Sequence, residues 1–241
     1  MKIYLIAGEA SGDRLGAALM AGLRQIRSDL QFHGVAGPLM QAEGMTSLFP
    51  MEELSIMGLA EILPKYFDLK RRIRETASDV VHVAPDVLIT IDSPDFCLRV
   101  AKLVKAKCPI RTVHYVAPSV WAWRPGRAAK MARVIDHVLA LLPFEPPYME
   151  RAGMACDFVG HPVTTEPLAT PAERAAFRAS LGLPSAHDPA APLILALPGS
   201  RRGEVTRLAP IFGAALRPVL AQKPAAQVVI PTTRNVTDLV Q

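Results

Sequence analysis

The first group in this chain with a claim to chemistry is a carboxylate closing a largely apolar run. Asp92 follows Val87-Leu88-Ile89-Thr90-Ile91, where a carboxylate is costly unless it is hydrogen-bonded or put to use. In that position it can take a proton from an attacking hydroxyl. Asp95 stands behind Pro94 and is better suited to opening the next helix as a cap.

Three further segments carry candidate groups. Gly8-Glu9-Ala10-Ser11-Gly12-Asp13 leaves one apolar run and enters an amphipathic one. Glycine lets backbone approach a ligand, and helix N-terminal amides favour anions or hydroxyls. That reading places Gly8, Glu9 and Ser11 in a substrate cleft; the alternative is that Ser11 or Asp13 simply caps the helix. The segment is not G-x-G-x-x-G, so a dinucleotide fingerprint is not supported.

Ala117-Pro118-Ser119-Val120-Trp121-Ala122-Trp123-Arg124 contains both tryptophans of the chain. Indoles suit surfaces that are half wet and half apolar, and Arg124 adds a fork of donors matched to phosphate. Ser119, Trp121, Trp123 and Arg124 are therefore assigned to the cleft, against the alternative that the aromatics plug a core edge. Gly199-Ser200-Arg201-Arg202-Gly203-Glu204 combines a glycine turn, a helix start and guanidinium groups. This is an anion site best suited to a diphosphate, with Gly199, Ser200 and Arg201 as its members. A nucleophilic Ser200 is the rival, without a surrounding G-x-S-x-G elbow. His114 lies in a strand, and His161 sits in Gly-His-Pro, where it shapes a hinge or reaches the cleft.

The elements needed to hold these groups alternate. Strands are expected at 2–7, 31–36, 86–91, 110–116 and 136–141, with helices at 13–27, 58–82, 96–107 and 125–133. This rhythm predicts a parallel, doubly wound α/β sheet, and such sheets place ligands at the carboxyl ends of their strands. The proline-rich stretch 161–171 reads as a linker between a first domain at 1–160 and the start of a second at 172–241. Beyond the linker come helix 172–181, strand 193–197, helix 203–222 and strand 227–230. Those elements open a second α/β domain without completing it.

The 241 residues are half hydrophobic, ample for a core. The apolar start is too short for a signal peptide, and no run approaches the length of a transmembrane helix. Cys97, Cys108 and Cys156 are widely spaced and read as buried thiols of a reducing compartment, without a metal site. The net charge of +5 is gathered around Lys65–Arg74, Arg99–Lys107 and Arg124–Arg133. Solvated helix faces, an anionic membrane, nucleic acid or a phosphorylated substrate would each account for it.

Taken together the segments resemble one family. Gly-Glu-Ala-Ser-Gly-Asp (8–13), Gly-Val-Ala-Gly-Pro-Leu-Met-Gln-Ala-Glu-Gly (34–44) and Met-Glu-Glu-Leu-Ser-Ile-Met-Gly (51–58) belong to the pattern. So do Ile-Asp-Ser-Pro-Asp-Phe (91–96), His-Tyr-Val-Ala-Pro-Ser-Val-Trp-Ala-Trp-Arg (114–124), Leu-Pro-Phe-Glu (142–145), Gly-His-Pro (160–162) and Leu-Pro-Gly-Ser-Arg-Arg-Gly-Glu-Val (197–205). The chain resembles the lipid-A-disaccharide synthases, inverting glycosyltransferases with two Rossmann-like domains of the GT-B type facing a cleft.

The resemblance implies transfer from UDP-2,3-diacylglucosamine to 2,3-diacylglucosamine 1-phosphate. The products are the β-1,6 lipid A disaccharide 1-phosphate and UDP, at the cytoplasmic face of the inner membrane of a Gram-negative bacterium, with no cofactor or metal. It implies Asp92 as general base, Arg201 on the diphosphate, and Ser11 with the Gly8 turn lining the cleft. Family members continue through a full second domain, so this chain alone is expected to have little or no activity, and dimerisation is expected only at full length.

Residues 56–74 run from apolar to cationic. Ile62, Leu63, Phe67 and Leu69 are either core residues or an acyl-contacting membrane patch beside Lys70–Arg74. A UDP-N-acetylglucosamine 2-epimerase is the nearest enzyme alternative, an inactive fragment of the enzyme another. A nucleic-acid-binding module lacks a supporting motif.

Overall fold

The computed structural model describes residues 1–54, 62–183, 192–199, 202–232 and 236–240, without the side chains of 62–66 and 165. The chain divides into two compact units, Met1–Glu166 and Pro167–Gln241.

The first unit is built on six parallel strands: β1 (Lys2–Ala7), β2 (Gln31–Val35), β3 (Val87–Ile91), β4 (Arg111–Tyr115), β5 (His137–Ala140) and β6 (Ala155–Phe158). Their order is β2-β1-β3-β4-β5-β6. Ile3 aligns with Phe32 on one side and Val87 on the other. The chain leaves β1 toward β2 and returns on the far side as β3, so the topological switch point lies between β1 and β3. Tyr4, Leu5 and Ile6 of β1 are wholly buried, as a central strand covered on both faces requires.

The helices of this unit are α1 (Ala10–Ile26), α2 (Pro38–Ala42), α3 (Ile62–Val83), α4 (Pro94–Lys105), α5 (Gly126–Met131) and α6 (Pro146–Glu150). Two boundaries differ from the sequence reading in ways that matter. Helix α1 begins at Ala10, so Ser11 stands in its first turn. Helix α4 begins at Pro94, directly behind Ser93, because proline at the first helical position loses no hydrogen bond. Strand β6, short and mostly exposed, lacks the apolar signal that marks the other strands. Within the basic run near residue 70, Arg72 is structural. Its guanidinium forks onto Glu53 at 2.7 Å through two nitrogens, reaches Glu75 at 2.7 Å, and covers the Phe49 ring.

In the second unit, α7 (Pro171–Ser180) opens with a capping box. Thr170 Oγ1 accepts from Glu173 N–H, and the Glu173 carboxylate accepts from Thr170 N–H, closing two orphan donors at once. Thr170, read from sequence as linker, therefore begins this helix. Strands β7 (Leu193–Leu195) and β8 (Gln227–Val229) pair in parallel around α8 (Arg202–Gln222), followed by α9 (Thr237–Val240). Among the described residues no helix is long and apolar enough to cross a membrane.

Candidate active site

Because the strands of the first unit are parallel, the turns after β1, β3, β4 and β5 emerge at one edge of the sheet. The turn after β3 is strained. Asp92 and Ser93 both take left-handed backbone, at φ 49 and 42, which costs a non-glycine residue about 1–2 kcal/mol. Asp92 N–H donates to the Tyr115 carbonyl at 3.0 Å, tying this turn to the end of β4. Asp92 is half-buried. Cys97, fully buried one helical turn later, has its thiol pushed up by burial and secondarily by the Asp92 charge.

The turn after β1 meets it. Gly8 is buried against Ser93 so closely that an added Cβ would lie 2.5 Å from Ser93 Oγ. Glu9 is the N-cap residue of α1 and makes no side-chain cap bond; Ser11 is exposed. Asp13 does cap a helix, but not its own. Its carboxylate accepts from Leu39 N–H at 2.9 Å and Met40 N–H at 3.0 Å, the first turn of α2. It is almost completely buried, so it anchors the neighbouring loop and does not face the cleft.

The turn after β4 begins with Val116 at φ 85 and closes with Arg124 at φ 54. Between them Ala117 and Val120 are buried, whereas Ser119 is exposed and Trp121 and Trp123 are 44% and 52% exposed. The indoles therefore do not simply plug a core edge. Trp121 meets Phe144, from the turn after β5, edge to face at 5.2 Å. Arg124 and Arg127 both lie over Trp123, at 4.5 and 5.5 Å from its centroid. Next to them opens a cavity of about 550 Å³ lined by Pro94, Asp95, Arg124, Arg127 and Lys130 among others. Sequence reasoning grouped these cations but did not see that α4 and α5 share a cavity, because the two helices are separated by a strand.

His114 and His161 both have hydrogen-bond partners. His114 is buried and shares a 2.7 Å hydrogen bond between Nδ1 and the Thr90 hydroxyl, which also reaches the Val113 carbonyl. Burial lowers its pKa to about 4, leaving it neutral at pH 7. His161 Nδ1 accepts from Val163 N–H at the head of the 3-10 turn Pro162–Thr165. Of the proposed apolar patch, Phe67 is 70% exposed, whereas Leu69 is half-buried against the core. The side chains of Ile62 and Leu63 lie outside the described residues.

In the second unit Gly199, in the segment after β7, has φ 123, and Arg202 at the start of α8 is held by Asp238 at 2.9 and 3.0 Å. Ser200 and Arg201 lie outside the described residues. Among the described residues no cluster of His, Cys, Asp and Glu could hold a metal ion.

Comparison with known proteins places this chain in a family. A family model described as lipid-A-disaccharide synthetase matches residues 3–239. The chain is 70% identical over 240 residues to the lipid-A-disaccharide synthase of Ruegeria pomeroyi, covering 100% of this chain and 59% of that protein. It is 50% identical to the enzyme of that name from Rhodospirillum centenum, covering 99% and 59%. It thus spans about 59% of the length of these curated relatives.

Among solved structures, the Neisseria meningitidis UDP-GlcNAc 2-epimerase bound to UDP-GlcNAc superposes with a TM-score of 0.69. That match has 13% identity and covers 98% of this chain and 67% of that one. A lipopolysaccharide outer core galactosyltransferase in its apo form superposes with a TM-score of 0.52 at 12% identity, covering 100% and 70%. At such identities the epimerase and the transferase share a fold with this chain, the α/β architecture of GT-B proteins, and no more. The relatives at 70% and 50% identity decide the rest: the chain belongs to the lipid-A-disaccharide synthase family.

Proposed function

We propose that this chain supplies the acceptor-binding domain, residues 1–160, the hinge 161–171, and the opening of the nucleotide-sugar domain of an inverting glycosyltransferase. The acceptor is 2,3-diacylglucosamine 1-phosphate and the donor UDP-2,3-diacylglucosamine. Asp92 takes the proton of the acceptor 6-hydroxyl. The oxygen attacks the donor anomeric carbon, and the bond to UDP breaks with its electron pair leaving on the diphosphate. The configuration inverts, giving a β-1,6 disaccharide.

The observation that carries this reading is half-buried Asp92, in strained backbone at the switch point and next to Ser93, which packs against Gly8. Strain of this kind collects at functional sites, and switch points are where α/β sheets take ligands. Gly8, Glu9 and Ser11 line the same turn, with Ser119, Trp121, Trp123 and Arg124 on the acyl-sugar side. Gly199, Ser200 and Arg201 hold the diphosphate, an arrangement consistent with a glycine turn at a helix start. Phe67, with Ile62 and Leu63, contacts the inner membrane from its cytoplasmic side.

The test is direct. A chain extended to the length of the relatives is incubated with both acylated sugars, and the products are read by mass spectrometry. Disaccharide 1-phosphate and UDP in equal amounts are expected. Release of UDP without disaccharide, or epimerisation of UDP-N-acetylglucosamine, would replace this reading with another.

A further inference from the structure

We infer that the cavity between the start of α4 and α5 is the subsite for the acceptor's phosphate monoester, with Arg124, Arg127 and Lys130 as its cationic wall. The inference rests on the proposed function for the identity of the acceptor, and on this structure for the place of the phosphate.

Four observations converge on the cavity. Its volume of about 550 Å³ lies in the range of small-ligand sites, roughly 300–1,000 Å³. Its wall carries three cations against one carboxylate, Asp95. Among the described residues no acid stands within ion-pair distance of Arg124, Arg127 or Lys130, so their charge is not already neutralised. Arg127 and Lys130, three residues apart on α5, present both head groups to one side.

The two arginines are also held in advance. Both guanidinium groups rest on the Trp123 ring, which reduces the freedom they would lose on binding. The loop that carries Trp123 is bracketed by left-handed Val116 and Arg124. For a β-branched residue such as Val116 that conformation is a true outlier, of the kind that persists where a site needs it.

The location fits the acceptor. Pro94 and Asp95 of the cavity wall directly follow Asp92 and Ser93. In a glucosamine 1-phosphate, C1 and C5 flank the ring oxygen, and the reacting hydroxyl hangs from C5 through C6. A sugar with its phosphate in the cavity therefore carries that hydroxyl about one ring's width from the phosphate, and on this inference it lies toward Asp92. Asp95 would face the phosphate and weaken its binding.

Isothermal titration of the whole chain separates the alternatives. Wild type and Arg127→Ala/Lys130→Ala are titrated with 2,3-diacylglucosamine 1-phosphate, its dephosphorylated counterpart, UDP, and phosphatidylglycerol vesicles. Arg124 is left in place because its backbone is strained. The double variant is expected to bind the phosphorylated sugar about tenfold to a hundredfold more weakly. The dephosphorylated sugar and UDP should bind both proteins alike, and Asp95→Asn should tighten the phosphorylated sugar. If the double variant fails to melt cooperatively, Arg127→Gln and Lys130→Gln are read singly for the same selective loss.

Equal affinity of wild type and variants for the phosphorylated sugar overturns the inference and leaves the proposed function standing. A loss confined to UDP or to vesicles also overturns it, assigning the cations to the donor or to lipid headgroups. A wild type that binds neither sugar removes the acceptor reading, and this inference with it.

Discussion

Gly8 and Ser93 join the first and third strands at the switch point: a methyl group on Gly8 would stand 2.5 Å from Ser93 Oγ and 2.8 Å from its Cβ. Rotating the hydroxyl away relieves only the first contact. The second requires backbone movement at Ser93, which is already left-handed and next to Asp92. Gly8→Ala should therefore destabilise the first unit by about 1–3 kcal/mol. Ser93→Gly should recover much of that loss, since it removes the clashing Cβ and relaxes the turn. A double-mutant cycle by urea denaturation checks the coupling, and additive effects would mean that the two turns do not touch.

Asp13→Ala should lower stability by about 3 kcal/mol, because it leaves Leu39 and Met40 N–H groups without their charged acceptor. Asp13→Asn offers one acceptor oxygen in place of two and should fall between. Urea midpoints of the three proteins give the order.

Asp92→Asn should keep the fold and remove the chemistry. Asparagine tolerates left-handed backbone better than most residues, so the φ of 49 is no obstacle and the melting temperature should hold. Turnover of the family-length protein should fall on the order of a hundredfold to ten-thousandfold. A rate within a few-fold of wild type would reduce Asp92 to a structural acid.

Acid should weaken the fold through His114. Its folded-state pKa of about 4 lies below the unfolded value of about 6.5, so the unfolded chain binds the extra proton between the two. The stabilisation is complete above about pH 6.5, declines as pH falls and is gone below about pH 4, a change on the order of 3 kcal/mol. His114→Gln should flatten the slope of unfolding free energy across that window, whatever its effect on stability at pH 7. Denaturant titrations at several pH values read the slope.

Phe67→Ser should leave the melt almost unchanged, since the ring is 70% exposed and surface substitutions move stability by roughly 0.5 kcal/mol or less. If the segment meets the membrane, sedimentation with anionic vesicles should drop severalfold. Unaltered sedimentation would release Phe67 from that role.

Much of this protein was legible along the chain because strand and helix signals are local. The runs at 2–7, 86–91 and 110–116 are strands because their apolar and β-branched residues have nowhere else to go, and Asp92 was conspicuous because it ends one of them. The family motifs are local strings as well. What the tertiary structure decided is which turns meet. Asp13 stands in the same motif as Ser11, yet its carboxylate serves another helix, a partnership 26 and 27 residues away. The Gly8–Ser93 approach and the cavity that Arg127 shares with Pro94 likewise depend on strand order. Periodicity reports which face of an element is buried, whereas strand order is settled only when the whole core packs, and that order places a carboxylate beside one turn and cations beside the next.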